Sequence, residues 1–244
     1  MTARIAMWSG PRNISTAMMR AFGNRPDTVV VDEPFYAAYL AATGLPHPMR
    51  DEVLAAQPTD WRRVVDALTG PAPGDKAVFY QKHMTHHMLP AIGREWLASC
   101  RNAFLIRDPV DVLSSYADKR TDQPTLADIG VEVQLELFER ESDRLGTAPP
   151  VIESEDVLAD PRGALSALCA ALGLPFHEAM LSWPAGRRST DGVWAPAWYD
   201  AVERSTGFGP PRPRRAPSDL PDSLKAVADA ARPFYERLSA HRLR

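Results

Sequence analysis

Residues 7–22, MWSGPRNISTAMMRAF, pass from an apolar stretch through a turn into a helical pattern. The start of a helix offers unpaired backbone N–H groups and the positive end of the helix dipole, and both suit an anion. Arg12 adds a positive charge there, and Ser15 and Thr16 add hydroxyl donors. Because the stretch has no Gly-Lys-Ser/Thr sequence, it is not a Walker A loop. It predicts an anion site without magnesium-loop chemistry, with a purely structural turn as the alternative.

A second stretch, NAFLIRDPVDVLSSYADKR at 102–120, has the same form. Arg107 ends its apolar run, and Ser115 lies about two turns into a helix that begins near Pro109. Parallel strands end at a common edge of the sheet, where ligands bind. We therefore expect Arg107 and Ser115 to grip one phosphate beside the first stretch.

The sequence VDEPFY at 31–36 offers a candidate proton acceptor, Glu33, next to Asp32. A carboxylate with an ordinary pKa of about 4.3 is a poor base at neutral pH, so this role needs burial that raises the pKa. The alternative is that Glu33 caps the helix opened by Pro34 and acts on its dipole. The first role makes Glu33 catalytic, and the second makes it structural.

The sequence YQKHMTHHMLP at 80–90 offers other candidates, which are Lys82, His83, His86 and His87. An imidazole with an ordinary pKa near 6.5 suits a general base. The three histidines also have a spacing that could bind zinc on one helical face, but no acidic or cysteine ligand accompanies them. We expect no metal, and we expect at least one of the histidines to be an imidazole at the surface or at the edge of the core without a role in the site.

Five short apolar runs predict the strands that position these groups. They are 4–8, 28–32, 77–81, 102–106 and 150–154. Runs that are apolar throughout are typical of parallel strands buried on both faces. Between and after them, apolar residues recur at helical intervals in 15–23, 34–42, 60–69, 109–119, 125–145 and 161–172. The alternation predicts an α/β fold, a three-layer parallel sheet with helices on both faces.

We expect the chain, 1–244, to form a single domain. The segment 183–218 is rich in tryptophan and proline, which predicts a surface loop or a lid over a ligand. An amphipathic helix at about 221–241 should then pack back on the body of the domain.

Composition narrows the classes of partner. A formal net charge of −3 with no long single-sign run gives no sign of a nucleic-acid groove. No apolar run approaches the roughly 18 residues of a membrane span, and no secretion signal is evident. Cys100 and Cys169 have no metal-finger spacing and are expected to be buried free thiols, which favours a reducing, cytoplasmic setting. The oligomeric state is left open.

Together these motifs resemble the sulfotransferases that use 3′-phosphoadenosine 5′-phosphosulfate (PAPS). The family's 3′-phosphate element, Arg-x-Pro-x-Asp-x-x-x-Ser-Tyr, is matched from Arg107 to Tyr116, and ESEDVLADPRGALSALCAALGLPF at 153–176 matches a third family element. The family's 5′-phosphosulfate loop, Pro-Lys/Arg-Ser-Gly-Ser/Thr-Thr, is matched by Pro11, Arg12, Asn13, Ile14, Ser15 and Thr16.

The resemblance implies a fold like that of P-loop nucleoside triphosphate hydrolases and transfer of a sulfuryl group from PAPS to a hydroxyl or amine of a small-molecule acceptor. Glu33 matches the catalytic glutamate of several branches. Lys82 matches the lysine of a Lys-x-His element in other branches, but Met84 stands in the place of its histidine. The family's late glycine-rich phosphate element is echoed loosely at 186–192, where Arg187 or Arg188 would contact the 3′-phosphate.

Two other functions stay open at this stage. Asn13 and Ile14 stand where the family has Ser-Gly, and a side chain at Ile14 would crowd a backbone that glycine frees. The protein would then be a non-catalytic nucleotide-binding protein. The third hypothesis is a P-loop small-molecule kinase or nucleotide hydrolase, against which the missing Walker A chemistry speaks.

Overall fold

The computed structural model describes residues 2–117, 123–211 and 213–243, without the side chain of residue 117. The end of the helix predicted at 109–119 and one position of the segment 183–218 therefore lie outside the described residues. Within them, all five predicted strands are present: β1 (Ala3–Ser9), β2 (Thr28–Asp32), β3 (Val78–Met84), β4 (Arg101–Ile106) and β5 (Val151–Glu153).

The strands form one parallel sheet in the order β2-β3-β1-β4-β5. The chain leaves β1 for one side of the sheet and later returns to add β4 on the other side. The carboxyl ends of β1, β3 and β4 are therefore neighbours. This is the kind of switch point at which open α/β sheets bind ligands, and the predicted fold class is confirmed.

The α-helices of the first half are α1 (Ser15–Gly23), α2 (Tyr36–Thr43), α3 (Arg50–Ala56), α4 (Trp61–Thr69) and α5 (Pro109–Ala117). Those of the second half are α6 (Leu126–Ile129), α7 (Val131–Leu145), α8 (Ser154–Ala159), α9 (Pro161–Ala171), α10 (Ala195–Trp198), α11 (Asp200–Glu203) and α12 (Asp222–Ser239). The C-terminal helix α12 packs on α5 and α7.

The central strand β1 divides the core into two layers because successive side chains of a strand point to opposite faces. Ile5 and Met7 pack with α1 and α9 on one face, whereas Ala6 and Trp8 pack with α7 and α12 on the other. All four side chains are fully buried. Burial on both faces explains why the central residues of β1, 5–8, are all apolar.

The helix predicted at 125–145 is divided in two by Gly130, whose φ of 65° is left-handed. A Cβ added at Gly130 would lie 2.6 Å from the hydroxyl oxygen of Thr85, so only glycine fits. Thr125 and Asp128 form a capping box at the start of α6. The break matters because Thr85 begins the turn that carries two of the candidate histidines.

The two cysteines, Cys100 and Cys169, are buried and free. Among the helices of the described residues, none combines the length and the apolar character needed to cross a membrane.

Candidate functional site

A cavity of about 380 Å³ opens at the carboxyl edge of the sheet. Its floor is the turn that joins β1 to α1, the ends of β2, β3 and β4, and the second turn of α5. Its roof is part of the tryptophan- and proline-rich segment, from Trp198 to Pro210. Most of the side chains selected from the sequence therefore face one space.

The turn after β1 has an unusual backbone. Arg12 and Ile14 both have left-handed φ angles, 64° and 54°. This region is costly for a β-branched residue such as isoleucine, and strain of this kind is concentrated at functional sites. The Ile14 side chain packs against the core layer that contains α1, which helps to hold the conformation. Isoleucine thus adopts here the backbone that the family's glycine would adopt freely.

Gly10, at the start of the same turn, is required for space and not for a left-handed backbone. Its φ is not left-handed, but an added Cβ would lie 2.6 Å from the carbonyl oxygen of Ile129. Gly10 lets the turn approach the end of α6 closely. It does not release the strain at Ile14.

Helix α1 begins beside the cavity without a side-chain cap. Its first regular hydrogen bond runs from the backbone N–H of Met18 to the carbonyl of Ile14, at 3.1 Å. The three preceding residues, Ser15, Thr16 and Ala17, all line the cavity. Their backbone N–H groups are those that a helix leaves for an external acceptor. The hydroxyls of Ser15 and Thr16 stand beside them, so the turn presents a group of donors suited to an anion.

The two predicted anion stretches meet in the structure. The Nε of Arg12 donates to the hydroxyl of Ser115 at 3.0 Å, and Arg107 donates from Nη1 to the backbone carbonyl of Arg12 at 2.9 Å. Arg107 also pairs through Nε with Glu155 at 3.0 Å. Because β1 and β4 are adjacent, their strand ends form one basic corner of the cavity.

Arg107 is largely buried, with 8% of its side chain exposed. Two of its three nitrogens are engaged by Arg12 and Glu155, and within the described residues its Nη2 makes no hydrogen bond. A guanidinium that is fixed by two contacts and retains a donor toward a cavity is well suited to a phosphate oxygen. Glu155 belongs to the third family-like element and was not selected as a site residue from the sequence.

A second group of charges lies at the ends of β2 and β3. Lys82 Nζ contacts Asp32 Oδ1 at 2.9 Å, Glu33 Oε1 at 2.5 Å and the hydroxyl of Tyr199 at 2.9 Å. The Lys82 side chain is 1% exposed, whereas that of Glu33 is 12% exposed and lines the cavity. The side chain of Glu33 does not cap α2, which has no side-chain cap.

Burial and charge act in opposite directions in this group. Burial raises the pKa of Glu33 above its ordinary value, partly offset by the positive charge of Lys82. For Lys82, burial lowers the pKa, but the carboxylates of Asp32 and Glu33 outweigh it and raise the pKa well above its ordinary value. Burial also raises the pKa of Tyr199. Lys82 is therefore an ammonium and Tyr199 a neutral phenol at neutral pH. Glu33 is the member of the group whose raised pKa makes its carboxylate a stronger base.

The far side of the cavity is built from rings. His86 and His87 lie in a turn after β3, and both line the cavity with Tyr36 and His47. The Tyr36 ring stacks on His87 with 4.7 Å between centroids, and its hydroxyl is 2.9 Å from His47 Nδ1. Burial lowers the pKa of His87 well below its ordinary value, and the neighbouring His86 and His47 add to this effect. His87 is consequently neutral at pH 7.

The structure separates His83 from the other candidates. Its side chain is 1% exposed and stacks on Trp8 at 4.3 Å, within the core layer that contains α7. Alternation along β3 explains this placement, because Lys82 and Met84 point to the cavity and His83 to the opposite face. Burial lowers the pKa of His83 to about 3. His83 is a packing residue here, and it shares no face with His86 and His87 for a common metal.

Arg187 also lies apart from the other candidates. It is exposed and is absent from the cavity wall, in the part of the segment that precedes α10. Asp191 in the same segment forms a buried ion pair with Arg20 of α1 at 2.7 Å. Within the described residues, no group of three histidine, cysteine or acidic side chains is arranged to hold a metal ion.

The tryptophans of the segment 183–218 divide between packing and cavity. Trp183 and Trp194 are buried, with 4% and 1% exposed, whereas Trp198 lines the cavity. The hydroxyl of Tyr199 was not selected from the sequence because nothing in the local pattern shows that it reaches Lys82 across 117 residues. Tyr36 and His47 were missed for the same reason, because the sequence around them is equally consistent with side chains packed in a core.

The sheet is parallel, a donor-rich turn follows β1, and a second basic strand end lies beside it. This arrangement is typical of group-transfer and nucleotide-binding proteins. The sulfotransferase domain family matches residues 3–242, and the chain belongs to this family.

Solved structures support the fold. The sulfotransferase domain from the curacin biosynthetic pathway aligns with a TM-score of 0.53 and 17% identity, over 94% of this chain and 97% of the other. A sulfotransferase from Alicyclobacillus acidocaldarius aligns with a TM-score of 0.52 and 16% identity, over 100% and 98%.

Two relatives from Arabidopsis thaliana are similar in sequence. They are named branched-chain-amino-acid aminotransferase-like protein 1 and protein 2, with 37% and 34% identity over 97% of this chain. The matched region is 42% and 41% of those proteins, so the chain spans about two fifths of their length. Their names describe proteins more than twice as long as the matched region.

Proposed function

We propose that this protein is a PAPS-dependent sulfotransferase that acts on a hydroxyl or amine of a small-molecule acceptor. The observation that carries the proposal is that two strand ends rich in hydrogen-bond donors and one largely buried carboxylate, Glu33, line the same cavity. Membership of the sulfotransferase domain family supports the reaction class.

The donor would bind with its two phosphate groups on the two strand ends. The 5′-phosphosulfate suits the start of α1, where backbone N–H groups, Ser15 and Thr16 provide donors. The 3′-phosphate suits the neighbouring corner at the end of β4, where Arg107 and Ser115 provide donors and are both in contact with Arg12 of the turn. The left-handed backbone at Ile14 supports this fit, because the turn keeps the shape that a glycine would allow.

Glu33 is the proposed base. Oε1 is held by Lys82, and within the described residues Oε2 receives no hydrogen bond. The acceptor O–H or N–H bond breaks as its proton passes to Glu33, and the released electron pair forms the new bond to sulfur. The S–O bond to the phosphate breaks, and its electron pair remains on the departing adenosine 3′,5′-bisphosphate. Arg12 and the start of α1 would stabilise the charge that develops there.

The wall opposite the basic corner is the proposed acceptor side. Tyr36, His47, His86 and His87 present rings there, and Trp198 and Phe208 close the roof. Burial lowers the pKa of His87 and so weakens it as a base, whereas burial raises the pKa of Glu33 and strengthens it as one. An aromatic wall of this kind fits a compact neutral acceptor better than a polyanion.

The test is direct. Purified protein is incubated with PAPS and a panel of phenols, alcohols and amines, and adenosine 3′,5′-bisphosphate formation is measured. Acceptor-dependent product supports the proposal. Tight binding of the bisphosphate by calorimetry without transfer to any acceptor would instead support a non-catalytic nucleotide-binding protein. Magnesium-dependent turnover of ATP would favour the kinase or hydrolase hypothesis.

A further inference from the structure

The contacts of Lys82 define what it can do. An ammonium group has three N–H donors, and Lys82 has three acceptors within 2.9 Å: Asp32 Oδ1, Glu33 Oε1 and the hydroxyl of Tyr199. All three donors are therefore occupied inside the protein. Contact of Lys82 with the leaving phosphate would require the loss of one of these buried bonds, which is costly in a low-dielectric site.

Tyr199 completes the same set of bonds. Its hydroxyl donates to Asp32 Oδ2 at 2.7 Å and accepts from Lys82 and from the indole N–H of Trp194, the latter at 3.2 Å. Asp32 Oδ2 also accepts from the backbone N–H of Gly192 at 3.1 Å. Each polar side-chain atom of Lys82, Asp32 and Tyr199 has a partner, and such satisfied networks hold side chains in one arrangement.

The charges of the group leave one negative charge in excess. Lys82 is positive, and Asp32 and Glu33 are negative when ionised. If Lys82 faced Glu33 alone, the pair would be neutral and the carboxylate would be a weak proton acceptor. Because Asp32 shares the same ammonium, the effect of the positive charge of Lys82 on Glu33 is partly compensated. After Glu33 takes a proton, Lys82 and Asp32 remain as a neutral pair.

Glu33 itself needs such support. Its backbone has a φ of 41°, in the left-handed region that residues other than glycine rarely adopt. That conformation turns the chain at the end of β2, where Glu33 lines the cavity beside Lys82. A buried hydrogen-bonded neighbour that fixes a catalytic side chain is the usual way in which reacting groups are held in register.

We infer that Lys82, Asp32 and Tyr199 form a positioning group for Glu33, and that Lys82 acts on the base and not on the leaving phosphate. This inference rests on the proposed function. It also assigns part of the tryptophan- and proline-rich segment to the reaction, since Tyr199 and its donor Trp194 both belong to it. That part of the segment is a fixed wall of the site, tied to β2 through Asp32.

The first test is Tyr199→Phe, which removes one hydroxyl and leaves the ring. Its matched control is Tyr235→Phe, which removes a buried phenol hydroxyl that donates to Glu153 at 2.9 Å outside this group. We expect kcat for sulfuryl transfer to fall about 10- to 100-fold in Tyr199→Phe, as for a misplaced reacting group. In Tyr199→Phe we expect the KM for PAPS and the affinity for adenosine 3′,5′-bisphosphate to be unchanged. In the control, Tyr235→Phe, we expect kcat to be unchanged.

The second test is the pH profile of Asp32→Asn. The charge of Asp32 raises the pKa of Glu33, so its removal should shift the rising limb of kcat/KM to lower pH, a change that a purely structural defect does not produce. Thermal unfolding checks that each variant is folded.

A folded Tyr199→Phe variant with unchanged kcat would overturn the inference, as would an Asp32→Asn profile that keeps its limb. A weaker bisphosphate affinity in Lys82→Met would also overturn it, because Lys82 would then contact the donor. If the wild-type protein shows no sulfuryl transfer at all, the proposed function fails first. The two failures are therefore distinguishable.

Discussion

Arg12 Nε donates to the hydroxyl of Ser115 at 3.0 Å, although 103 positions separate them in the sequence. This contact joins the turn after β1 to helix α5. Two phosphate-type elements that are each weak signals become a single basic corner. The corner exists because β4 pairs with β1 on the side opposite to β3.

The variant Arg107→Ala should weaken binding of adenosine 3′,5′-bisphosphate about 10- to 100-fold, since a charge-assisted hydrogen bond contributes about 1.5–3 kcal/mol. Isothermal titration calorimetry measures the change. Arg187→Ala is the matched control, because Arg187 is exposed outside the cavity. Equal losses in both variants would contradict the placement of the 3′-phosphate at Arg107.

The variant Glu33→Gln keeps the size of the side chain but cannot accept a proton. Loss of a general base lowers kcat by about 10²- to 10⁴-fold. Bisphosphate affinity should remain near the wild-type value, because the anion contacts are made by the other strand ends. A steady-state rate together with a calorimetric titration separates the two effects, and full activity in Glu33→Gln would move the search for the base to His86 or His87.

Wild-type activity should rise with pH through the raised pKa of Glu33, because the unprotonated carboxylate is the active form. The variant Lys82→Met removes the charge that lowers this pKa, so its rising limb should lie at higher pH than in the wild type. A kcat/KM profile measured from acid to neutral pH gives both limbs. A limb that moves to lower pH would contradict the assignment of Glu33.

The same variant should be less stable. Removing one partner of a buried ion group leaves carboxylates uncompensated and typically costs about 3–5 kcal/mol. Since burial raises the pKa of Glu33 and its protonation relieves part of this cost, Lys82→Met should lose more stability as pH rises. Denaturant unfolding at two pH values tests this, and a cost that grows toward acid pH would have the wrong sign.

Glu153 gives a separate test of stability. Burial and the neighbouring Glu155 raise the pKa of Glu153 to about 8, so it is protonated at neutral pH in the folded protein. Because this pKa is higher than in the unfolded chain, its contribution to stability is full below the unfolded pKa. It is lost as pH rises through about 8.

Glu153→Gln should therefore remove part of the decline in melting temperature between about pH 5 and pH 8. Scanning calorimetry of both proteins across this interval checks the prediction. Parallel curves would show that Glu153 does not titrate in this interval.

Much of the scaffold was predictable because its causes are local. The apolar runs and the helical intervals between them depend on neighbouring residues, and the five strands form where they were expected. The anion elements were also readable, since a strand end, a basic residue and a helix start occur within about ten positions of each other.

The base region was less predictable. Glu33 and Lys82 were selected, but so was His83, which the pleat of β3 directs into the core beside Trp8. A one-residue shift in the register of a strand exchanges its two faces, and sequence patterns locate strands only to within a few residues. The site role of Tyr199 depends on a segment that returns to the sheet from far along the chain.

The sequence by itself determined the class of fold, the two candidate anion elements and the resemblance to the sulfotransferases, whose family the chain belongs to. These depend on periodicity and on short motifs, which act over one or two turns of chain. The tertiary structure decided which face of β3 meets the cavity and which of the candidate side chains share it. It also decided that Lys82 is engaged by Asp32, Glu33 and Tyr199. Those relations arise from strand pairing and burial between distant segments, and the free energy that fixes them belongs to the folded chain as a whole.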